Sequence, residues 1–281
     1  MQPIMAARPD VSIVVIGHSV RHELMSCFQS IERYAGVAVE VIYVDNGSTD
    51  DTLEWVGRTM SPVTAISLDE NRFGAARTPA LRRARGRYTM FLDSDARLTE
   101  GALPSMVAAL DRHGTWGLLG PKLVYDDGDL QLSCRRFPPL MLPVIRRPPL
   151  DHFFENGRAV RRHLMADADH DHVRPVLYVI SACQLFRTSL ARRVGDIDPK
   201  LAWGWEDTDW CIRIRAAGGE VVYFPRATVV HTYRRLTRRR PLSRDALRQL
   251  RCHMHFQRKY LRRRQELIRL GAELDRVPAA E

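Results

Sequence analysis

Short apolar runs bounded by polar turns recur along the first half of the chain, with helical periodicity between them. "VSIVVI" (11–16), "VEVIYVD" (39–45), "VTAISL" (63–68) and "YTMFLD" (88–93) read as strands. "HELMSCFQSIERY" (22–34) carries apolar residues at helical spacing. "TDDTLEWVGRTM" opens with Thr49, Asp50 and Asp51, which favour a helix start. "GAARTPALRRARG" (74–86) reads as a helix closed by Gly86, with Pro79 expected to disturb its middle. This alternation predicts an α/β protein with a mostly parallel central sheet flanked by helices.

The pattern loosens after "GTWGLLGPKLVY" (114–125). "RRFPPLMLPVIRRPPLDHFF" (135–154) is rich in proline and arginine and reads as loop. "RRHLMADADHDHVRP" (161–175) gathers His163, Asp167, Asp169, His170, Asp171 and His172; its composition favours a mobile polar loop over a metal site. "VLYVISACQLF" (176–186) reads as one strand. "WGWEDTDWCIRIRAAGG" (203–219) reads as a turn with acids, then a helix with a glycine stop. "EVVYFP" and "ATVVH" follow as strands. Beyond Pro241, Leu247, Leu250, Met254, Leu261 and Ile268 form an apolar stripe among arginines, a basic amphipathic helix.

The 281 residues, 45% of them hydrophobic, suit one large domain with an appendage. Net charge is +10, and thirteen Arg/Lys against one acid, Asp245, lie between Arg234 and Arg264. A segment of this sign seeks phosphates, on anionic lipid or nucleic acid. No run approaches the roughly 20 apolar residues of a membrane span. No charged segment precedes the first apolar run, so no signal peptide is expected. Cys27, Cys134, Cys183, Cys211 and Cys252 are scattered without a C-x-x-C pair. That spacing suits a reduced cytoplasmic protein and argues against a zinc or disulfide framework. Neither G-x-G-x-x-G nor a P-loop is present, which excludes the standard dinucleotide and P-loop sites.

Candidate chemistry gathers where strands end. Asp45-Asn46 closes one strand, and Asp93-x-Asp95 closes another. In open α/β sheets, ligands bind beyond the strand carboxyl ends. Two aspartates one residue apart repel unless a cation, hydrogen bonds or water relieve them. Glu206-Asp207 and His231 complete the set. Taken singly, each has a plain reading: a solvated turn, a turn cap at Asp45, acids at a helix start, and an ordinary strand-end histidine.

Together and in this order, "VSIVVIGHSV", "VEVIYVDNGSTDDT", "NRFGAARTPALRRARGRYTMFLDSDA", "HLMADADHDHVRPVLYVISACQLFR" and "WGWEDTDWCIRIRAAGGEVVYFPRATVVH" resemble the inverting glycosyltransferases of family two, which have the GT-A fold. The resemblance spans roughly residues 11 to 231 and is nearest to the bacterial rhamnosyltransferase-like branch. It implies a GT-A domain over 1–232, with a nucleotide-sugar half to about 125 and an acceptor half over 126–232, followed by the basic tail 233–281. Asp45, Asn46, Arg77 and Asp93 then meet the nucleotide-sugar. Asp95 and His231 hold Mn²⁺ or Mg²⁺, Asp207 is the catalytic base, and Trp203, Trp205 and Glu206 lie at the acceptor. The implied activity is transfer from a nucleotide-diphosphate sugar, dTDP-rhamnose first and UDP-sugars next, to a glycan or lipid-linked glycan in cell-wall or surface polysaccharide synthesis.

The implied place is the cytoplasm, with the basic tail (234–264) either on the inner face of the membrane or packed through its stripe on the domain or a second subunit. A second copy of the chain is a further candidate partner; nucleic acid is not expected. Three departures stand out. "NRFGAAR" is one residue shorter than the family's N-x-G-F-G run, Thr78-Pro79 follow "GAAR", and Ser181 replaces a glycine in "YVISA". The alternatives are a non-catalytic glycosyltransferase-like scaffold and an anionic-polymer binder acting through the tail. A sugar nucleotidyltransferase would need a glycine-rich loop that "GHSVRHE" does not supply.

Overall fold

A computed structural model describes residues 8–59, 62–145, 153–154, 157–232 and 244–277. The four leading strands form as the sequence indicates: β1 (Val11–Gly17), β2 (Val39–Asp45), β3 (Val63–Ser67) and β4 (Tyr88–Asp93). They run parallel in the order β3-β2-β1-β4. β1 is buried along almost its whole length because helices cover both faces, so it reads as a continuous apolar run. Val11, Ile13 and Val15 enter one core, and Val14 enters the opposite one. On the first face lie α1 (Arg21–Tyr34), which buries Leu24, Cys27, Phe28 and Ile31, and α4 (Ala102–Arg112). Between them in sequence come α2 (Thr52–Thr59), α3 (Arg77–Arg83) and the short strand β5 (Ala96–Leu98).

Beyond β4 the sheet becomes mixed. β6 (Trp116–Val124) carries the two-residue β7 (Leu130–Gln131) at its far end, and β8 (Cys134–Arg135) follows. A four-residue helix, α5 (Leu142–Ile145), lies in the stretch expected to be loop, and residues 146–152 of that stretch are outside the described ones. After α6 (Arg158–Leu164) and β9 (Arg174–Pro175), the run expected as one strand over 176–186 is broken in two. β10 (Tyr178–Val179) pairs with β8 in a small second sheet, and β11 (Cys183–Arg187) enters the main sheet antiparallel to β4 and β6. The turn at Ser181 and Ala182 makes the break, a change of direction that apolar continuity cannot reveal.

α7 (Thr188–Val194) and α8 (Glu206–Ala216) lead into β12 (Glu220–His231). The two strands expected there are one, with register shifts across Pro225–Ala227. β12 pairs parallel with β6 and antiparallel with β5, which closes the order β3-β2-β1-β4-β11-β6-β12-β5. The result is the expected α/β architecture of a central sheet between helical layers, and β5 and β12 bring Asp95 and His231 together. Pro79 does not break its helix. The segment 73–76 is a 3₁₀ turn, α3 begins at Arg77, and Pro79 falls in the first turn, where its missing N–H costs nothing.

The tail forms α9 (Arg244–Lys259) and α10 (Arg264–Leu274), separated by a 3₁₀ turn at Leu261–Arg263. It lies against the second core through a different stripe from the one the leucines suggested. His253, Phe256, Gln257, Tyr260 and Leu267 are buried, whereas Leu247, Met254 and Leu261 are 54%, 39% and 68% exposed. Aromatic and amide side chains carry the packed face, so a count of leucines alone picks the outer one. Arginines 234–240 lie outside the described residues. Among the described residues, no helix is long and apolar enough to cross a membrane.

Candidate active site

Asp93 and Asp95 stand at the carboxyl end of β4 and in the turn into β5. Their carboxylates lie with the His231 imidazole inside one sphere of possible ligands, the three donor atoms within 4.8 Å of one another. Among the described residues this is the one such group of three. His231 Nε2 is 3.3 Å from Asp95 Oδ1 and 4.0 Å from Asp93 Oδ2. Its other nitrogen, Nδ1, lies 2.6 Å from Gln131 Oε1. That oxygen only accepts, so Nδ1 donates and Nε2 is the nitrogen turned to the carboxylates. Burial disfavours a charged ring there, but Asp95 and Asp93 outweigh it and hold the imidazole above its ordinary range. An imidazole fixed this way is what a metal-ligating histidine requires. Two hard oxygens and one imidazole fit Mn²⁺ or Mg²⁺, the nitrogen favouring Mn²⁺. Gln131 was not singled out from the sequence. It sits on a two-residue strand 100 positions from His231, and no local pattern marks it.

Arg77 is the hub on the other side of Asp93. Its buried guanidinium donates to Asp93 Oδ1 at 2.5 Å, lies 3.6 Å from Glu206 Oε1, and rests over the Phe91 ring. Burial pushes the Asp93 carboxyl up, while Arg77 and His231 pull it back down. Asp45 is buried at the end of β2, where the Tyr43 hydroxyl and the Ser48 N–H donate to it. Asn46 faces the next loop: its Oδ1 accepts from Arg72 N–H, and its Nδ2 donates to Asn71 Oδ1 and Phe73 O.

That clamp explains the shortened "NRFGAAR" run. Phe73 holds a left-handed φ of 49°, a conformation glycine would accept more readily. Asn46 and Asn71 bind both ends of its peptide unit, and its ring stacks on Trp203 at 3.9 Å. The next residue, Gly74, brings the backbone against Glu206. A Cβ there would sit 2.7 Å from Glu206 Oε1 and 2.8 Å from two further Glu206 atoms.

Glu206 and Asp207 open α8 within this crevice. Burial raises both carboxyls, and each is further shaped by its neighbours. The Asp207 charge adds to the rise at Glu206. Asp207 is pulled back by the Thr208 N–H and hydroxyl, which both donate to its Oδ1. The two carboxyls therefore titrate as an interacting pair, both above the usual carboxylate range, with the Thr208 donors restraining the rise at Asp207. Trp203 stays half-exposed beside this pair, under the Arg248 guanidinium. Trp205 has turned away toward the tail. It stacks on Phe256, with ring centroids 5.6 Å apart, and touches His253. The acidic loop at 161–175 holds no cluster of this kind: His163 bonds the Arg136 carbonyl, and His170 is buried against Met165 O and Cys134. Those histidines tie the loop to Arg136, Met165 and Cys134.

A GT-A-like crevice with a candidate metal triad and a half-buried carboxyl pair points to a class, and the comparisons with known proteins agree. The sequence profile described as glycosyl transferase family 2 matches residues 12–193, so the chain belongs to that family. It is 26% identical over 246 residues to N-acetylglucosaminyl-diphospho-decaprenol L-rhamnosyltransferase of Mycobacterium tuberculosis, covering 82% of this chain and 78% of that one. It is 35% identical over 114 residues to the succinoglycan biosynthesis protein ExoO of Rhizobium meliloti, 40% of this chain and 33% of that one. An uncharacterised protein of Sinorhizobium fredii, y4gI, is 26% identical over 242 residues, covering 81% of this chain and 25% of that one. The chain thus spans a quarter to a third of two of these relatives and most of the third.

Among solved structures, the fold is similar to GalNAc-T7 with UDP, GalNAc and Mn²⁺, at a TM-score of 0.67, 15% identity, 97% of this chain and 53% of that one. It is also similar to the Pyrobaculum calidifontis mannosyltransferase PcManGT with GDP-Man and Mn²⁺, at 0.56, 20% identity, 82% and 59%.

Proposed function

We propose that the protein is a metal-dependent inverting hexosyltransferase. It moves a sugar from a nucleotide-diphosphate donor, dTDP-rhamnose first among candidates, to a glycan or lipid-linked glycan in bacterial cell-wall or surface polysaccharide synthesis. The observation that carries this reading is the run of contacts from the Asp93–Asp95–His231 triad through Arg77 to Glu206 and Asp207. The relatives named above, two of which act in glycan assembly by their names, support the class of acceptor.

The departing nucleoside diphosphate gains negative charge, and a divalent cation when bound neutralises it as a Lewis acid. Asp95 and His231 are the residues to hold that cation. Arg77 shares its positive charge between Asp93 and Glu206, so it faces the donor side and the acceptor side at once. Asp45 and Asn46 shape the nucleotide's end of the crevice. Asp207 takes the acceptor hydroxyl's proton as that oxygen attacks from the face opposite the leaving group, which gives inversion. Glu206, held beside Arg77, borders the acceptor. Trp203 offers an apolar face to the acceptor sugar.

The test is thermal stability with dTDP, UDP and GDP, each with Mn²⁺ and then with EDTA. A metal-dependent rise for one nucleotide is expected and names the donor class. No rise with any of them would leave the scaffold reading standing instead.

A further inference from the structure

Beside Trp203, an open cleft of about 380 Å³ lies between the turn before α8 and the tail helix α9. It is lined by Lys200, Trp203, Arg248, Arg251, Cys252 and His255. The volume is that of a small-ligand site. Its walls are cationic. Lys200, Arg248 and Arg251 are exposed, and among the described residues no acid pairs with the Lys200 ammonium or the Arg251 guanidinium. The Arg248 guanidinium lies over the Trp203 ring, 5.4 Å from its centroid. The acid beside the cleft, Asp198, is already neutralised, with Lys259 Nζ at 2.8 Å and His255 Nε2 at 3.3 Å from its Oδ2. Lys200 and Arg251 therefore bring to the cleft positive charge that no described acid pairs.

The place of this cleft says which ligand it serves. Trp203 is shared: one face meets Phe73, the residue before Gly74 and its contact with Glu206, while Arg248 lies over the ring. The contacts thus run from the triad through Arg77, Glu206, Gly74 with Phe73, and Trp203 to the cationic cleft. The donor's diphosphate belongs at the triad, at the opposite end of that series from the cleft. An anion in the cleft then belongs to the acceptor.

We propose that Lys200, Arg248 and Arg251 form an acceptor-phosphate seat, which binds a phosphate or diphosphate attached to the acceptor sugar while Trp203 packs on that sugar and Asp207 faces its hydroxyl. Two guanidiniums and an ammonium on one concave surface suit the several oxygens of a phosphate better than the two of a carboxylate. This inference rests on the glycosyltransferase reading and deepens it, because it fixes the chemistry next to the reacting sugar. It also gives the basic tail a role inside the site.

The seat can be probed without the donor reaction, using farnesyl diphosphate as a short lipid diphosphate. Binding is measured by titration calorimetry in EDTA, which keeps diphosphate from being captured by metal at the triad. Wild type is expected to bind, and Lys200→Gln with Arg251→Gln is expected to weaken binding at least tenfold. All the substituted side chains are exposed, so folding is not at stake. Arg248→Gln is tested separately because it also covers Trp203. Inorganic pyrophosphate competing for the site assigns recognition to the phosphates, and its failure to compete overturns the proposal. Farnesol binding as tightly as its diphosphate would overturn it too, as would a double variant that binds like wild type. The nucleotide–Mn²⁺ melting shift, run on the same proteins, reports the donor site by itself. Its loss in wild type would defeat the glycosyltransferase reading, whereas its retention in the double variant with lost farnesyl diphosphate binding isolates the seat.

Discussion

Tyr260→Phe tests whether the tail holds α8. The Tyr260 hydroxyl donates at 2.7 Å to Asp209 Oδ1, three residues into α8 from Glu206, and the Asp209 carboxylate has no exposed surface. Asp209 also meets Lys259 at 2.6 Å and Arg213 at 2.8 Å. A hydrogen bond to a buried charge is worth about 1.5–3 kcal/mol, and loss of one of three partners places the change in the lower half of that range, about 2 kcal/mol. The substitution removes one oxygen atom and no packed carbon, so cavity effects are small.

Unfolding entropy of about 2.1 cal/mol/K per residue gives about 0.6 kcal/mol per degree for 281 residues, so melting should fall by about 3 °C. The assay is thermal unfolding followed by circular dichroism, with Leu261→Ala, at a 68% exposed position, as the neutral control. A double-mutant cycle with Asp209→Asn should return a coupling of about 1–2 kcal/mol. A Tyr260→Phe protein that melts with wild type, or a separate early transition for the tail, would refute the reasoning, because the tail would then not share in the fold of α8.

Asp207→Asn should abolish transfer while the nucleotide–Mn²⁺ melting shift survives; near wild-type turnover would remove Asp207 from the role of base. Gln131→Leu should weaken metal affinity about 10- to 100-fold by freeing the His231 ring, read as the Mn²⁺ dependence of nucleotide binding; an unchanged titration would mean that Gln131 does not orient His231. Glu206 holds its proton more tightly folded than unfolded, so its contribution to stability is present below the ordinary carboxylate range and is lost as pH rises through the raised folded value. Glu206→Gln, which never ionises, should therefore gain on wild type as pH increases from about 5 to 9. Parallel stability curves over that range would contradict the raised carboxyl.

What the sequence discloses, and what it hides, follows from the range of each interaction. The leading βαβ run was readable because β1 and β2 are buried on both faces by helices that alternate with them in the chain. Asp93 and Asp95 could be picked out at the carboxyl end of a strand, the family resemblance added His231, and the structure brings all three together. The resemblance, not the local pattern, also assigned roles to Glu206 and Asp207. Gln131 and the cation wall at Lys200 and Arg251 were hidden, since each acts through residues fifty or more positions away. Apolar continuity joined 176–186 although a turn divides it between two sheets. The same bias toward leucine chose the outer stripe of the tail over Phe256 and Tyr260.

Trp205 precedes α8 at a φ of 75°, a left-handed setting that a bulky side chain pays for in strain. Phe256 and His253, contributed by the tail, are the rings that hold it there. The entry into α8 is thereby braced by residues some fifty positions further along, past the 12–193 span that the family profile matches. A tail exchanged for a relative's would bring other rings to Trp205, so the turn before α8 and the packed face of α9 are expected to tolerate change together and not singly.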